Sequence, residues 1–266
     1  MPKQRLDTLL AERGLFETRT RAAASIMAGE VQVGDGGRRA SKPGEMVDEH
    51  ASLRVAERPR FVSRGGIKLA NALESSGIDV AGRRALDVGA STGGFTDCLL
   101  QSGAASVIAV DVGYGELAWG LRGDERVTVL ERTNARTLTL AQLPWAPDLA
   151  VLDVSFISLT KVLPAVLCCL ASSFDVLAMV KPQFEVGRER VGRGGVVREA
   201  SERRRALVEV ARTAQSLGAA VLGFHSSRLP GPKGNRETFL HLAHGTLPGA
   251  AGLATDIERL AAMVEP

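Results

Sequence analysis

Two acidic residues and a glycine run, set one strand apart, are the first chemistry this chain offers. Asp87-Val-Gly-Ala-Ser-Thr-Gly-Gly-Phe-Thr-Asp97 follows a short apolar run and leads into a helical pattern at Phe95, Leu99 and Leu100. It reads as strand, glycine turn, helix. Gly89, Gly93 and Gly94 let backbone approach a ligand closely, and a helix start offers unpaired N–H groups to polar atoms. The turn Gly89, Ser91, Thr92, Gly93, Gly94 therefore reads as a cofactor cradle. Phe95 is a candidate for its apolar wall, with a core phenylalanine as the plainer reading. The turn lacks G-x-G-x-x-G and also G-x-x-x-x-G-K-[ST]. Asp87 would repel a pyrophosphate but suits an amino group or a sulfonium charge. Asp111 closes the next apolar run, where a carboxylate can accept hydrogen bonds from both hydroxyls of a ribose. Acid, glycine turn, helix, strand, acid is the order expected of an S-adenosylmethionine site. Asn134, after the third strand pattern, is placed either to meet an adenine amino group or to cap a turn.

A second set of ionisable residues stands at strand ends. In open α/β sheets the reactive edge is the carboxyl end of the parallel strands. Asp153 ends one strand pattern and Lys181 the next, while Glu237 precedes the last. If that last strand runs antiparallel, all three meet at the edge that carries Asp87, and Asp153 also borders the cofactor cradle. An ordinary ion-pair network at strand ends is the alternative. The loop Gly187-Arg-Glu-Arg-Val-Gly-Arg-Gly-Gly195 follows Lys181 closely, so Arg188, Arg190 and Arg193 could clamp RNA phosphate, or simply face solvent.

Elements able to position these residues alternate in the doubly wound manner. Strand patterns cover 85–88, 107–111, 127–130, 149–153, 176–180, 220–224 and 238–242. Helical patterns cover 67–73, 95–101, 161–170, 199–217 and 253–263. The expected fold class is α/β, a Rossmann-like seven-stranded sheet preceded by a small α+β module. That module spans 1–58, with helical patterns at 5–13 and 18–28 and strand signals at 31–33 and 53–55. Residues 59–66, with Pro59 and the paired Gly65-Gly66, read as a linker, and 67–266 as the larger domain.

Composition fits a globular chain: 266 residues, 45% hydrophobic, 24% charged, net charge +3, with no sustained apolar core at the N-terminus and no uninterrupted spanning tract. Cys98, Cys168 and Cys169 lack C-x-x-C spacing and are expected to be core thiols of a reducing compartment. A cytoplasmic location, no membrane association and no metal are expected. Oligomeric state is not legible.

The order of elements in the front module, with Arg5, Arg13, Arg19, Arg21 and Lys42 spread over it, resembles the S4-type RNA-binding domain. Arg60 and Arg64 extend the same charge into the linker. Lys68, Asp153, Lys181 and Glu237 match the K-D-K-E tetrad of FtsJ-like ribose 2′-O-methyltransferases. With Ser63-Arg-Gly-Gly-Ile-Lys68, Asp153-Val-Ser-Phe-Ile-Ser158, Lys181-Pro-Gln-Phe-Glu185 and Gly231-Pro-Lys-Gly-Asn235, the chain resembles the TlyA (haemolysin A-like) rRNA methyltransferases over nearly its full length. The resemblance implies S-adenosylmethionine as cofactor, ribosomal RNA in subunits or ribosomes as partner, and methylation at a cytidine ribose. On chemical grounds Lys181 is the candidate base, Lys68 a holder of the ribose oxygen or its phosphate, and Asp153 and Glu237 the carboxylates orienting the two amines; which of the two lysines is deprotonated is not legible in the sequence. Two competing classes are a membrane-active haemolysin and a noncatalytic ribosome-assembly RNA-binding protein.

Overall fold

The structure, a computed structural model, describes residues 2–56, 59–244 and 256–265. It divides into two units, Met1–Pro59 and Arg60–Pro266.

The first unit runs β1 (Lys3–Arg5), α1 (Leu6–Glu12), α2 (Arg19–Met27), β2 (Val31–Val33), β3 (Arg38–Arg39), β4 (Met46–Asp48) and β5 (Leu53–Val55). β1 pairs with β4, and a second sheet has the order β3-β2-β5. Leu6, Leu9 and Leu10 of α1 recur at helical spacing and close over Ala22, Ile26, Val31, Val33 and Val47, which gives the unit its own core. α2 starts where the Thr18 hydroxyl accepts from Arg21 N, a cap that supports the helix end. β1 (Lys3–Arg5) and β3 (Arg38–Arg39) hold no apolar residue and β4 (Met46–Asp48) does not alternate, so no period-2 pattern marks them, whereas the equally short β2 and β5 alternate apolar, polar, apolar.

The second unit begins with α3 (Arg64–Ser76) and continues β6 (Arg84–Val88), α4 (Gly94–Gln101), β7 (Ser106–Val110), α5 (Trp119–Arg122) and β8 (Val127–Leu130). It is completed by β9 (Leu149–Leu152), α6 (Leu163–Leu167), β10 (Asp175–Val180), α7 (Pro182–Glu185), α8 (Ala200–Ser216), β11 (Ala219–Ser226), β12 (Thr238–His244) and α9 (Ile257–Val264). One seven-stranded sheet has the order β11-β12-β10-β9-β6-β7-β8. Every pairing from β10 through β8 is parallel, whereas β12 is antiparallel to both neighbours. The central strands read as unbroken apolar runs because both faces are covered. Leu86, Val88, Ile108 and Val110 face α6, α8 and α9. Ala85, Val107, Ala109, Leu149 and Val151 face α3, α4 and α5.

Several expectations change. The helix foreseen from 67 starts at Arg64, because the Ser63 hydroxyl accepts from Gly65 N and caps it. Gly65 and Gly66 therefore lie inside a helix and not in a linker. A Cβ on Gly66 would overlap the Phe61 ring, so close packing, not a flexible boundary, requires glycine there. The stretch 161–170 becomes a 3-10 turn, Leu159–Lys161, followed by the short α6. Cys168 is exposed, unlike the buried Cys98 and Cys169. The last helix is seen at Ile257–Val264; the earlier part of its expected span, 253–255, lies outside the described residues.

Candidate active site

Register brings the strand-end residues together. β6 and β9 pair Val88 with Leu152, so Gly89 and Asp153 leave the sheet side by side. β10 and β12 pair Val180 with Thr238, which sets Lys181 beside Glu237. From the second turn of α3, Lys68 reaches the Glu237 carboxylate as an ion pair, with both side chains buried. Lys181 Nζ lies 2.5 Å from Asp153 Oδ1 and donates to Ser155 Oγ at 2.9 Å. All four residues of the expected tetrad thus gather at one edge, as two ammonium–carboxylate pairs.

Two cavities open here and share Ser155 and Phe156. The larger, about 540 Å³, is lined by Gly89, Ser91, Asp111, Glu116, Asn134 and Asp153, with Val112, Ile157 and Val162 as apolar wall. The smaller, about 310 Å³, is lined by Lys181, Phe184, Lys233, Asn235 and Glu237 among others. Asp111 is fixed by Ser91 N (2.8 Å) and Gly113 N (2.7 Å), one to each oxygen, and each oxygen keeps a lone pair to accept from a ligand hydroxyl. Gly89 has φ of +85°, and a Cβ there would sit 2.7 Å from Asp153 O; the turn requires glycine. Asn134 caps a turn by accepting from Arg136 N and also lines the larger cavity.

Other members of the expected cradle sit elsewhere. Phe95 is buried against the Phe239 ring, 5.8 Å between centroids. Gly93 turns the chain into α4 at φ of +93°, and a Cβ there would also overlap Leu121; one on Gly94 would overlap Ser63 Oγ, so Gly94 serves helix packing. Thr92 is exposed and does not line the larger cavity. Asp87 is fully buried under α4 and lines neither cavity. Its Oδ2 accepts from Thr96 Oγ1 at 2.7 Å, while Oδ1 has no hydrogen-bond partner among the described residues. Burial pushes the Asp87 carboxyl up to about 7, with the Thr96 hydrogen bond opposing and the field of Asp153 adding to the rise. Residues the sequence reading missed are Glu116, which accepts from Ser91 Oγ at 3.2 Å, and Ser155 and Phe156, which border both cavities. The latter two stand in the Asp153–Ser158 phrase, but nothing in their spacing marked them.

The expected RNA-facing cations divide. Arg5 makes paired hydrogen bonds to Asp7 at 3.1 and 2.8 Å, and Arg19 approaches the same carboxylate at 3.5 Å. Arg5 and the other donors hold the Asp7 carboxyl down at about 2. Arg13 donates to the backbone carbonyls of Glu49 and Ala51, and Arg21 pairs with Glu17. Lys42 is exposed. In the second unit Arg60 lies over the Phe61 ring, Arg64 donates to Pro230 O at 3.2 Å, and Arg190 stands 3.6 Å from Glu202. Arg188 and Arg193 are exposed.

A mostly parallel seven-stranded sheet with its one reversed strand next to the edge, a glycine turn after the first strand and an acid after the second define a Rossmann-like methyltransferase. Comparison with known proteins is more specific. Residues 61–244 match the FtsJ-like methyltransferase family and residues 4–53 the S4 domain. The 16S/23S rRNA (cytidine-2′-O)-methyltransferase TlyA of Mycobacterium tuberculosis is 52% identical over 243 residues, 90% of each chain. Hemolysin A of Brachyspira hyodysenteriae is 36% identical, over 89% of this chain and 98% of its own. A solved structure from Streptococcus thermophilus that carries a hemolysin name superposes with a TM-score of 0.72 at 43% identity, covering 99% of this chain and 96% of that one. The chain belongs to the TlyA family of S4-domain, FtsJ-like methyltransferases. Among the described residues no helix is long and apolar enough to cross a membrane.

Proposed function

We propose that this protein transfers a methyl group to the ribose 2′-hydroxyl of a cytidine in ribosomal RNA, the reaction for which its Mycobacterium tuberculosis relative is named. One juxtaposition supports the reading above all: two ammonium–carboxylate pairs stand where a cofactor-sized cavity meets a second, smaller one. The larger cavity fits S-adenosylmethionine, for it falls in the size range of small-molecule sites and offers the fixed Asp111 carboxylate, the Asn134 amide and an apolar wall. When bound, that cofactor supplies an electrophilic methyl on a sulfonium sulfur.

The chain's own residues have the remaining work. A ribose hydroxyl is a weak nucleophile, so in-line placement and a proton acceptor are needed. Lys181, once its ammonium has released a proton to solvent, takes the hydroxyl proton through the Nζ lone pair as the oxygen is methylated. Asp153 and Ser155 hold that nitrogen and balance the ammonium formed. Lys68, oriented by Glu237, holds the ribose oxygen or its phosphate. Residues 1–58 capture RNA, with the exposed Lys42 as a contact, and 67–266 carry out the transfer. The partner is ribosomal RNA in subunits or ribosomes, which places the protein in the cytoplasm.

Methyl transfer from labelled S-adenosylmethionine to purified small and large ribosomal subunits, followed by mass mapping of the RNA, tests this. The expected product is a ribose-methylated cytidine; label on a base, or none on either subunit, overturns the reading. Lys181→Ala should lower the rate by about 10²–10⁴-fold while cofactor binding by calorimetry is retained.

A further inference from the structure

Lys181 and Asp153 stand on separate segments, 181–185 after β10 and 153–159 after β9, and their pairing requires those segments to keep a fixed register. Asp153 and Ser155 meet Lys181 at one end. In the middle, the Phe156 and Phe184 rings lie 5.3 Å apart. At the far end the Glu185 carboxylate takes two hydrogen bonds, Oε2 from Ser158 Oγ at 2.5 Å and Oε1 from Leu159 N at 2.9 Å.

Between the two ends the chain is under strain. Phe156 has φ of +63° and is 91% exposed, a conformation that disfavours a bulky side chain by about 1–3 kcal/mol and persists only when its surroundings impose it. The ring, being so exposed, buries too little to impose it alone. The residues after it can, because Ser158 caps the turn Leu159–Lys161 through Thr160 N, and Glu185 fastens both Ser158 and Leu159. Glu185 lines neither cavity, so it acts through other residues. Its carboxyl is raised above the usual range by burial.

We infer that Glu185 is a positioning residue: by pinning Ser158 and Leu159 it holds the strained 153–157 segment so that Asp153 and Ser155 stay on the Lys181 amine. The effect on turnover rests on the function proposed above; the geometric claim does not. Glu185→Ala removes both acceptors. Glu185→Gln keeps one for Leu159 N, and its amide can donate to Ser158 Oγ, whose hydrogen turns to Thr160 Oγ1, 2.6 Å away. Loss of sub-ångström placement of reacting groups costs on the order of 10²-fold in rate.

The test compares full-length wild type, Glu185→Ala and Glu185→Gln in two measurements. One is kcat at saturating cofactor and ribosomal subunit. The other is the rate at which an amine-acylating reagent labels Lys181 at low conversion, read by mass spectrometry. Glu185→Ala is expected to lose roughly ten- to hundredfold in kcat and to label several times faster at Lys181, whereas Glu185→Gln restores both towards wild type. Unchanged Lys181 labelling in Glu185→Ala overturns the inference. So does a Glu185→Gln as damaged as the alanine variant, or a kcat loss that follows only a fall in melting temperature. If wild type itself does not methylate, the labelling still decides the positioning, and only the functional reading fails.

Discussion

Burial of the Asp87 carboxyl beneath α4 makes a protonated acid part of the folded core near neutrality. With a folded value of about 7 above the unfolded value of about 3.9, the native state binds the proton more tightly. The stability so contributed is fully present below about pH 4 and is lost as pH rises through 7. Asp87→Asn keeps an acceptor for Thr96 and removes the titration. Urea denaturation should show the wild type losing up to about 4 kcal/mol relative to Asp87→Asn between pH 4 and 8; parallel pH profiles would refute a buried proton. The Lys68–Glu237 pair gives a second residue-level expectation, because one charge of a buried pair left without its partner is far more destabilising than losing both. Lys68→Met alone should cost about 3–5 kcal/mol, and adding Glu237→Leu should recover much of it. Both variants should lack methyl transfer, so stability and activity separate; equal melting of the single and double variants would show that the pair is not coupled.

At the scale of elements, the contact of α3 with α4 decides whether Lys68 reaches the sheet edge. A Cβ on Gly94 would overlap Ser63 Oγ and lie 3.0 Å from Gly66 N, and backbone cannot yield as a side chain can. Gly94→Ala should therefore destabilise by about 1–3 kcal/mol. Gly120 in α5 has open space where its Cβ would be, so Gly120→Ala should stabilise by up to about 1 kcal/mol. Thermal melting of the two variants in opposite directions checks the pair. These glycines also show what could be read in advance. The strands follow from period, and Asp111 from its place after the second strand; the meeting of Asp153, Lys181 and Glu237 followed only on the condition that the last strand is reversed, and that reversal and the strand order come from the structure. The packing roles of Gly66 and Gly94 did not follow, because glycine supplies the same letter for a flexible turn and for close helix packing. Asp87 was misplaced for a similar reason: pattern puts it at the strand end, whereas strand alternation turns its side chain under α4, towards the face of Ala85 and not that of Val88.

Over the whole molecule, 33 basic against 30 acidic residues leave too small a net charge to draw polyanionic RNA, so binding must depend on which cations lack a carboxylate partner. In the first unit Arg5 and Arg19 share Asp7, and Arg21 has Glu17. In the basic loop Arg190 lies near Glu202, while Arg188 and Arg193 are exposed with no ion pair among the described residues. A cation already paired within the protein releases little further counterion on meeting a phosphate, whereas each newly neutralised phosphate adds somewhat less than one unit to the slope of log K against log salt. Titration of RNA binding against salt should therefore respond unevenly along one loop. The double variant Arg188→Ala with Arg193→Ala should lose about 1.5–2 units of slope, and Arg190→Ala close to none. Equal losses from all three would mean the Arg190–Glu202 pair opens on binding, and an unchanged slope in the double variant would remove this loop from the RNA interface.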